Sequence, residues 1–214
     1  MGEFVTILLD ETAEIVEKKS RFIANICRVD TVEEAEEKIK TIKKKFYDAK
    51  HNCVAYRVVE NGKVIEKSSD DGEPSGTAGA PMLNILQKNN LCNILVVVTR
   101  YFGGILLGTG GLVRAYSDAT QKGIENCIKV YKVDGIEIEI VLDYANLEIF
   151  KYYCKNNDIN ITKVEYGENI VLKIEMEKNR KNTFVKDIET KTLIIKEYQV
   201  LQEKYINKTV EKNK

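Results

Sequence analysis

The sequence predicts an α+β chain of two domains, and three observations lead there. Strand-like alternation and helix-like spacing of apolar residues succeed one another along the whole length. Glycine-rich loops are confined to the first part and cease near Tyr131. From that point the pattern is βαββαβ, the split-βαβ or ferredoxin-like order, in which two helices cover one face of a four-stranded antiparallel sheet. The change of texture divides the chain into residues 1–132, residues 133–207 and a polar tail, 208–214, expected to fray.

The elements follow in order. Val5 to Val16 and Arg21 to Val29 read as strands. A helix comes next: Thr31 caps it, Glu34 stands where a capping box needs an acid, and Val32, Ala35, Ile39, Ile42 and Phe46 recur at spacings of three and four. His51 to Val59 alternates as a strand, and the Asn61-Gly62 turn joins it to Val64–Lys67 as a hairpin. After the loop SSDDGEPSGTAG, Pro81 suggests a first helical residue ahead of Met82, Ile85 and Leu86. An apolar strand, Asn93 to Tyr101, leads through a glycine loop into a long helix from about Gly110 to Cys127. In the second domain Ile136, Ile138, Ile140 and Leu142 alternate as a strand, and Leu147, Phe150 and Cys154 mark a helix within Ala145–Asn156. Ile159–Tyr166 and Asn169–Glu177 flank Gly167 as a hairpin, Thr183–Lys191 is a helix, and Leu193–Tyr205 a last strand.

Composition excludes several function classes. The 214 residues are 43% hydrophobic and 31% charged, ordinary for a globular protein with a substantial core. Lys and Arg number 33 and Asp and Glu 33, so overall charge argues for neither a nucleic-acid nor a membrane role, and any basic surface is local. No signal for sequence-specific DNA reading is present. The amino terminus MGEFVTILLD carries an acid where a secretion signal needs base, and the longest apolar runs, such as Ile94–Val98, are too short to span a bilayer; the expected location is cytoplasmic, with no membrane partner. Five dispersed cysteines without a CxxC pair, and the lone His51, read as buried reduced thiols rather than a zinc site.

Three constellations are candidates for chemistry. The run TRYFGGILLGTGGLVRAY holds Gly103, Gly104, Gly108, Gly110 and Gly111 between an apolar strand and a helix. Its backbone N–H groups and Arg100 suit an anion, while the same glycines serve equally to turn a strand tightly into a packed helix. Arg114 falls on the outer face of the helix, either paired with Asp118 one turn on or reaching a ligand phosphate or partner carboxylate. The acids Asp70, Asp71 and Glu73, followed by glycine and proline, suit a divalent cation, the basic side chains of a partner, or turn capping. His51 and Arg57 share one sheet face by alternation. Ser68, Ser69 and Ser75 lack a GxSxG elbow, and no complete catalytic constellation is present.

At these residues a resemblance enters. SRFIA at Ser20–Ala24, HNCVAYR at His51–Arg57, DDGEPSGTAGAPML at Asp70–Leu83 and VVVTRYFGGILLGTGGLVRAY at Val96–Tyr116 resemble the signature blocks of the IMPACT/YigZ family, and the remainder is similar to the smaller second domain of its bacterial two-domain members. The resemblance implies a first domain of the ribosomal protein S5 domain 2-like fold and a second similar to a carboxy-terminal module of elongation factor G. Eukaryotic members restrain a starvation-responsive translation kinase by competing for its ribosome-bound activator, partly through an RWD domain. No segment here resembles that domain, so their partner is not carried over. For bacterial members the resemblance implies a translation-linked or nucleic-acid-binding role. Some relatives carry a proline-dipeptidase label, but the several His and acidic ligands of a dinuclear metallopeptidase are missing here.

The leading expectation is a non-catalytic cytoplasmic regulator that binds RNA or a ribosome-associated protein through the Asp70–Gly79 and Arg100–Arg114 loops, without a cofactor. The expected contact residues are His51, Arg57, Asp70, Asp71, Glu73, Ser75, Gly76, Thr77, Arg100, Tyr101, Gly103, Gly104, Gly108, Gly110, Gly111 and Arg114. The alternative is an enzyme acting on a phosphorylated small molecule, with Mg2+ held by Asp70, Asp71 and Glu73.

Overall fold

The computed structural model describes residues 3–208; the tail expected to fray lies, from residue 209 on, outside the described residues. The chain forms two compact units that divide between Val130 and Tyr131.

The first unit comprises β1 (Phe4–Ile7), β2 (Glu11–Glu17), β3 (Ser20–Arg28), α1 (Val32–Lys45), β4 (His51–Glu60), β5 (Lys63–Ser69), α2 (Gly79–Lys88), β6 (Ile94–Tyr101) and α3 (Gly108–Asn126). Its sheet runs β2-β3-β6-β4-β5, antiparallel throughout. The apolar run of β6 is explained by burial on both faces. Leu95 and Val97 pack with Ala35, Ile39 and Ile42 of α1, whereas Ile94, Val96 and Val98 pack with Met82 and Leu86 of α2 and Leu112, Ala115 and Ala119 of α3. The two crossovers, β3-α1-β4 and β5-α2-β6, each pass one strand, run in opposite directions across the sheet and lie on opposite faces. Because the β3/β4 pair also points opposite to the β5/β6 pair, the two crossovers are of opposite hand, so one breaks the strong right-handed preference for such connections.

Local chemistry sets the boundaries. Thr31 Oγ1 accepts from the Glu34 backbone N–H at 3.1 Å, while the Glu34 carboxylate reaches back to the N–H of Asp30, one residue beyond the cap. Asn61 and Gly62, at φ +50° and +72°, give the β4–β5 hairpin the two left-handed residues a primed turn requires. The expected strand Val5–Val16 breaks at Leu8–Asp10: β1 instead bonds the α2–β6 connection, with Val5 N–H to Asn90 O at 3.0 Å and Cys92 N–H to Val5 O at 2.8 Å. Pro81 is the third residue of α2 rather than the first, tolerated because no N–H of the opening turn has an intrahelical acceptor. The glycine-loop helix begins at Gly108, two residues earlier than its periodicity indicates.

The second unit contains most of β7 (Lys129–Leu142), then α4 (Leu147–Asn156), β8 (Asn160–Tyr166), β9 (Ile170–Glu177), α5 (Lys181–Glu189) and β10 (Glu197–Asn207). Its strands lie in the order β10-β7-β9-β8, all antiparallel, which is the ferredoxin-like arrangement. Ile136, Ile138, Ile140 and Leu142 meet Leu172, Ile174 and Met176 beneath Phe150, Cys154 and Phe184 of the helices. On the other face Lys204 bridges Glu137 at 3.1 Å and Glu175 at 2.7 Å. The final strand starts at Glu197 rather than Leu193, and Leu193 itself is buried in the core.

Arg57 is a structural part of the first unit. Its Nη1 donates to the carbonyls of Leu86 and Leu91, at 3.2 and 3.0 Å, closing the carboxy end of α2, and its Nε donates to Glu66 at 2.7 Å. Arg57→Met should lower unfolding stability by about 3 kcal/mol, because it orphans buried carbonyls and an acid together. Urea denaturation measures this, and a loss under about 1 kcal/mol would contradict the assignment.

Candidate functional site

The loop between β5 and α2 is built around carboxylates that bond backbone. Asp70 Oδ1 accepts from the N–H groups of Ala78 at 3.0 Å and Gly79 at 2.8 Å, and Oδ2 accepts from Gly76 at 2.8 Å. It thereby caps α2, whose own N-cap residue, Ala78, has no side chain able to do so. Burial works to raise the Asp70 carboxyl, but the three backbone donors outweigh it and hold the group below its ordinary value. Asp71 accepts from Lys43 Nζ at 2.6 Å and from the Asn52 N–H at 2.7 Å. Thr77 Oγ1 turns back onto the Pro74 carbonyl at 2.6 Å.

Glu73 points the other way, into the protein, with its side chain 3% exposed. Its Oε1 accepts from Arg100 Nη1 at 2.6 Å and from the Tyr116 hydroxyl at 2.8 Å. Strand register brings the neighbours together: Arg100 on β6 stands opposite both His51 on β4 and Phe22 on β3. His51 Nε2 lies 4.0 Å from Glu73 Oε1, and its Nδ1 is 2.9 Å from the Asp71 carbonyl. The Arg100 guanidinium sits between the rings of Phe22 and Phe102, at 5.5 and 5.6 Å. Its side chain is 8% exposed, and its Nε has no hydrogen-bond partner among the described residues. Burial pushes the Tyr116 hydroxyl well above its usual range and the Cys53 thiol up to about 12, so neither ionises near neutral pH.

Above this buried pair opens a cleft of about 440 Å3. It is lined by Lys50, His51, Gly72, Glu73, Pro74 and Arg100 together with Phe102, Leu106, Leu107, Gly108, Thr109 and Leu112 of the glycine loop and the start of α3. Leu106 is 82% and Phe102 54% exposed, and Ile105 stands out beside them. The start of α3 has no side-chain cap and no acid in its first turn, so its leading N–H groups lack intrahelical acceptors.

The structure thus gathers His51, Glu73, Arg100 and Gly108 in one cleft. Asp70, Asp71, Ser75, Gly76 and Thr77 form the loop behind it and do not line it. Arg57 lies at the far end of α2, and Tyr101 points to the opposite sheet face, where its hydroxyl donates to Asp48 at 2.7 Å. Gly103 donates its N–H to Ser20 Oγ, and a Cβ there would stand 2.0 Å from the Lys19 carbonyl carbon, so it is a packing glycine. Gly104 has φ +83°, and Gly108 +73°. Gly110 has open space where a Cβ would go, and Gly111 packs on Leu107. Arg114 and Asp118 border a separate hollow of about 200 Å3 beside Lys18, and no ion pair joins them among the described residues. Sequence reasoning passed over Lys50, Phe102, Leu106, Leu107, Leu112 and Tyr116. The available signal was the cluster of large apolar residues inside FGGILLG, a loop without helix or strand periodicity.

The cleft lies within a segment with known counterparts. Residues 18–124 match the Impact N-terminal domain, and residues 140–192 match a domain of unknown function, DUF1949. The chain is 42% identical over 171 residues to the IMPACT family member YvyE of Bacillus subtilis, covering 80% of this chain and 78% of that protein. The chain belongs to the IMPACT family. It is also 35% identical to the family member YigZ of Escherichia coli, over 74% of this chain and 78% of that protein. A solved structure described as a hypothetical protein aligns over 94% of this chain and 98% of its own, at 29% identity and TM-score 0.62. No helix among the described residues is long and apolar enough to cross a membrane.

Two outcomes follow from the geometry of this IMPACT domain. Asp70 has a folded value below its ordinary 3.8, so its contribution is complete above that pH and lost as pH falls through the folded value. Asp70→Asn should cost about 2 kcal/mol at pH 7 and flatten the acid limb of the stability curve, read by urea titration across pH 2–7; a variant as acid-sensitive as the parent would refute the capping role. Gly103→Ala should lose at least about 2 kcal/mol through backbone overlap, whereas Gly110→Ala should gain about 0.5 kcal/mol, both read from urea midpoints.

Proposed function

We propose that the chain is a non-catalytic, translation-linked regulator whose first domain docks a ribosome-associated protein in the cleft between the Asp70–Gly79 and Arg100–Arg114 loops. One observation carries this: the accessible side of the cleft is apolar, with Phe102, Ile105 and Leu106 held out in solvent on a glycine-pinned loop, while its acids are already bonded inside. Exposed large apolar groups clustered at a cleft mouth are the mark of a protein contact. Membership of the IMPACT family supports the translation link.

RNA is the less favoured partner, because the cleft offers few free cations and an aliphatic rather than a basic rim. The enzymatic alternative draws no support from the three acids. Asp70, Asp71 and Glu73 each turn to different protein donors, and among the described residues no group of three or more His, Cys, Asp or Glu could hold a metal ion.

The test is sedimentation of the purified full chain with bacterial ribosomal particles, with and without nuclease, comparing the parent with Leu106→Asp. Association should survive moderate salt and fall about tenfold in the variant, the effect of placing a charge in an apolar contact. Absence of association, or equal association of the variant, would remove the proposal; binding abolished by nuclease would transfer it to RNA.

A further inference from the structure

We propose that the carboxy end of α1 is a contact surface for single-stranded nucleic acid, separate from the cleft and on the other face of the sheet. This goes beyond the reading above and does not rest on it. The chain has no net charge, yet residues 38–50 hold six lysines against one acid, Asp48. Lys38 and Lys43 are engaged by Asp10 and Asp71, at 2.9 and 2.6 Å. Lys40, Lys44 and Lys45 are exposed, and no ion pair holds them among the described residues. Lysine in a last helical turn also meets the partial negative charge of the terminus, so basic charge would be an incomplete argument by itself.

The second observation is aromatic. Tyr47 follows the helix directly and is 85% exposed, the highest value among the exposed large hydrophobic side chains described. A ring so open adds almost nothing to the core. Tyr101 adjoins it on the α1 face of the sheet, with the Arg21 guanidinium 5.7 Å from its ring centre. Its hydroxyl donates to Asp48 at 2.7 Å, and that bond, with a smaller effect of the neighbouring Tyr47, holds it above its ordinary value. The one acid of the lysine run is thereby taken up by a tyrosine, leaving free cations beside an open ring.

Charge and shape together select the partner. A phosphodiester strand brings one negative charge per nucleotide to the lysines, and an unpaired base brings a flat face to Tyr47. A duplex keeps its bases stacked inside, and an acidic peptide has no such face. A lipid surface would need an apolar stripe to enter it, but Ala35, Ile39 and Ile42 of α1 are already packed on the sheet. The neighbouring acids are mostly spent: Glu36 holds Lys67 and Glu14 holds Arg21, each bond within 2.8 Å. Glu37, exposed one turn before Lys40, bounds the surface on that side.

The experiment uses the full chain and the fluorescence anisotropy of a labelled oligouridylate of about 12 nucleotides, starting at about 50 mM salt. Competitors are the same strand paired with oligoadenylate, and oligo-L-glutamate of equal charge. Binding should be saturable, and the logarithm of affinity should fall against that of salt with a slope of about −2, as contact by three lysines requires. The double variant Lys44→Glu, Lys45→Glu should bind at least about tenfold more weakly. Tyr47→Ala should bind at least about fivefold more weakly with its melting temperature unchanged, while Tyr47→Phe, which keeps the ring, should match the parent. No saturable binding, a flat salt response, equal competition by duplex or oligoglutamate, or full affinity in Tyr47→Ala or in the double variant would each overturn the proposal. Leu106→Asp should bind this RNA like the parent, and a loss there would also overturn it by moving the contact to the cleft. The two surfaces are thus scored by different variants, and either reading can fail alone.

Discussion

The Glu73 carboxylate is the point at which three separate segments of the first unit become one structure. It belongs to the β5–α2 loop, its cation partner Arg100 belongs to β6, and its hydroxyl donor Tyr116 belongs to α3. A carboxylate this deeply buried is tolerable only while its partners hold their places, since removing one partner of such a pair typically costs about 3–5 kcal/mol. The loop is therefore fastened to the sheet and the helix by an interaction whose loss is far more unfavourable than its formation is favourable. Phe22 and Phe102 flank the guanidinium and restrict Arg100 in turn. The floor of the cleft is a rigid polar assembly, satisfied except at one donor.

The glycine loop complements this floor by keeping apolar side chains away from the core. Gly103 lies so close to the β2–β3 turn that the backbone is pinned there, and Gly104 and Gly108 then bend it through positive φ. A loop pinned in this way cannot fold Ile105 and Leu106 back under α3, where the core is already filled by Leu112, Ala115 and Tyr116. Each such side chain buried by a partner contributes about 1.5–3 kcal/mol. Rigidity adds to this, because a loop held in place loses little conformational entropy on binding.

Much of the fold was legible because it depends on local patterns. The Thr31 cap, the Asn61-Gly62 turn, the apolar run of β6 and the βαββαβ order of the second unit each announce themselves within a short window. The site was legible only in outline, as two loops with an arginine between them. What stayed hidden depends on contacts distant in sequence. Arg57 looks like a site residue beside His51, yet its acceptors are carbonyls of Leu86 and Leu91, some thirty residues further on. The break after β1 depends on a bond to Asn90, and the tolerance of Pro81 on where the Asp70 carboxylate starts the helix. Tyr116 occupies a core position by spacing, and only the fold shows its hydroxyl meeting Glu73.

The acidic loop shows how misleading a run of like charge is when its donors are unseen. In sequence, DDGE suggests a negative surface that repels anions and attracts a cation. In the fold its three carboxylates part company: Asp70 is absorbed by backbone N–H groups at the start of α2, Asp71 by Lys43 and Asn52, and Glu73 by Arg100 and Tyr116. Fields from charges so closely paired fall away within a short distance, leaving the cleft governed by what is not paired. That remainder is Lys50 and the uncapped start of α3, both of positive sign. The electrostatic sign of the site is thus set by hydrogen-bond accounting and is opposite to the sign of the sequence that forms its back wall.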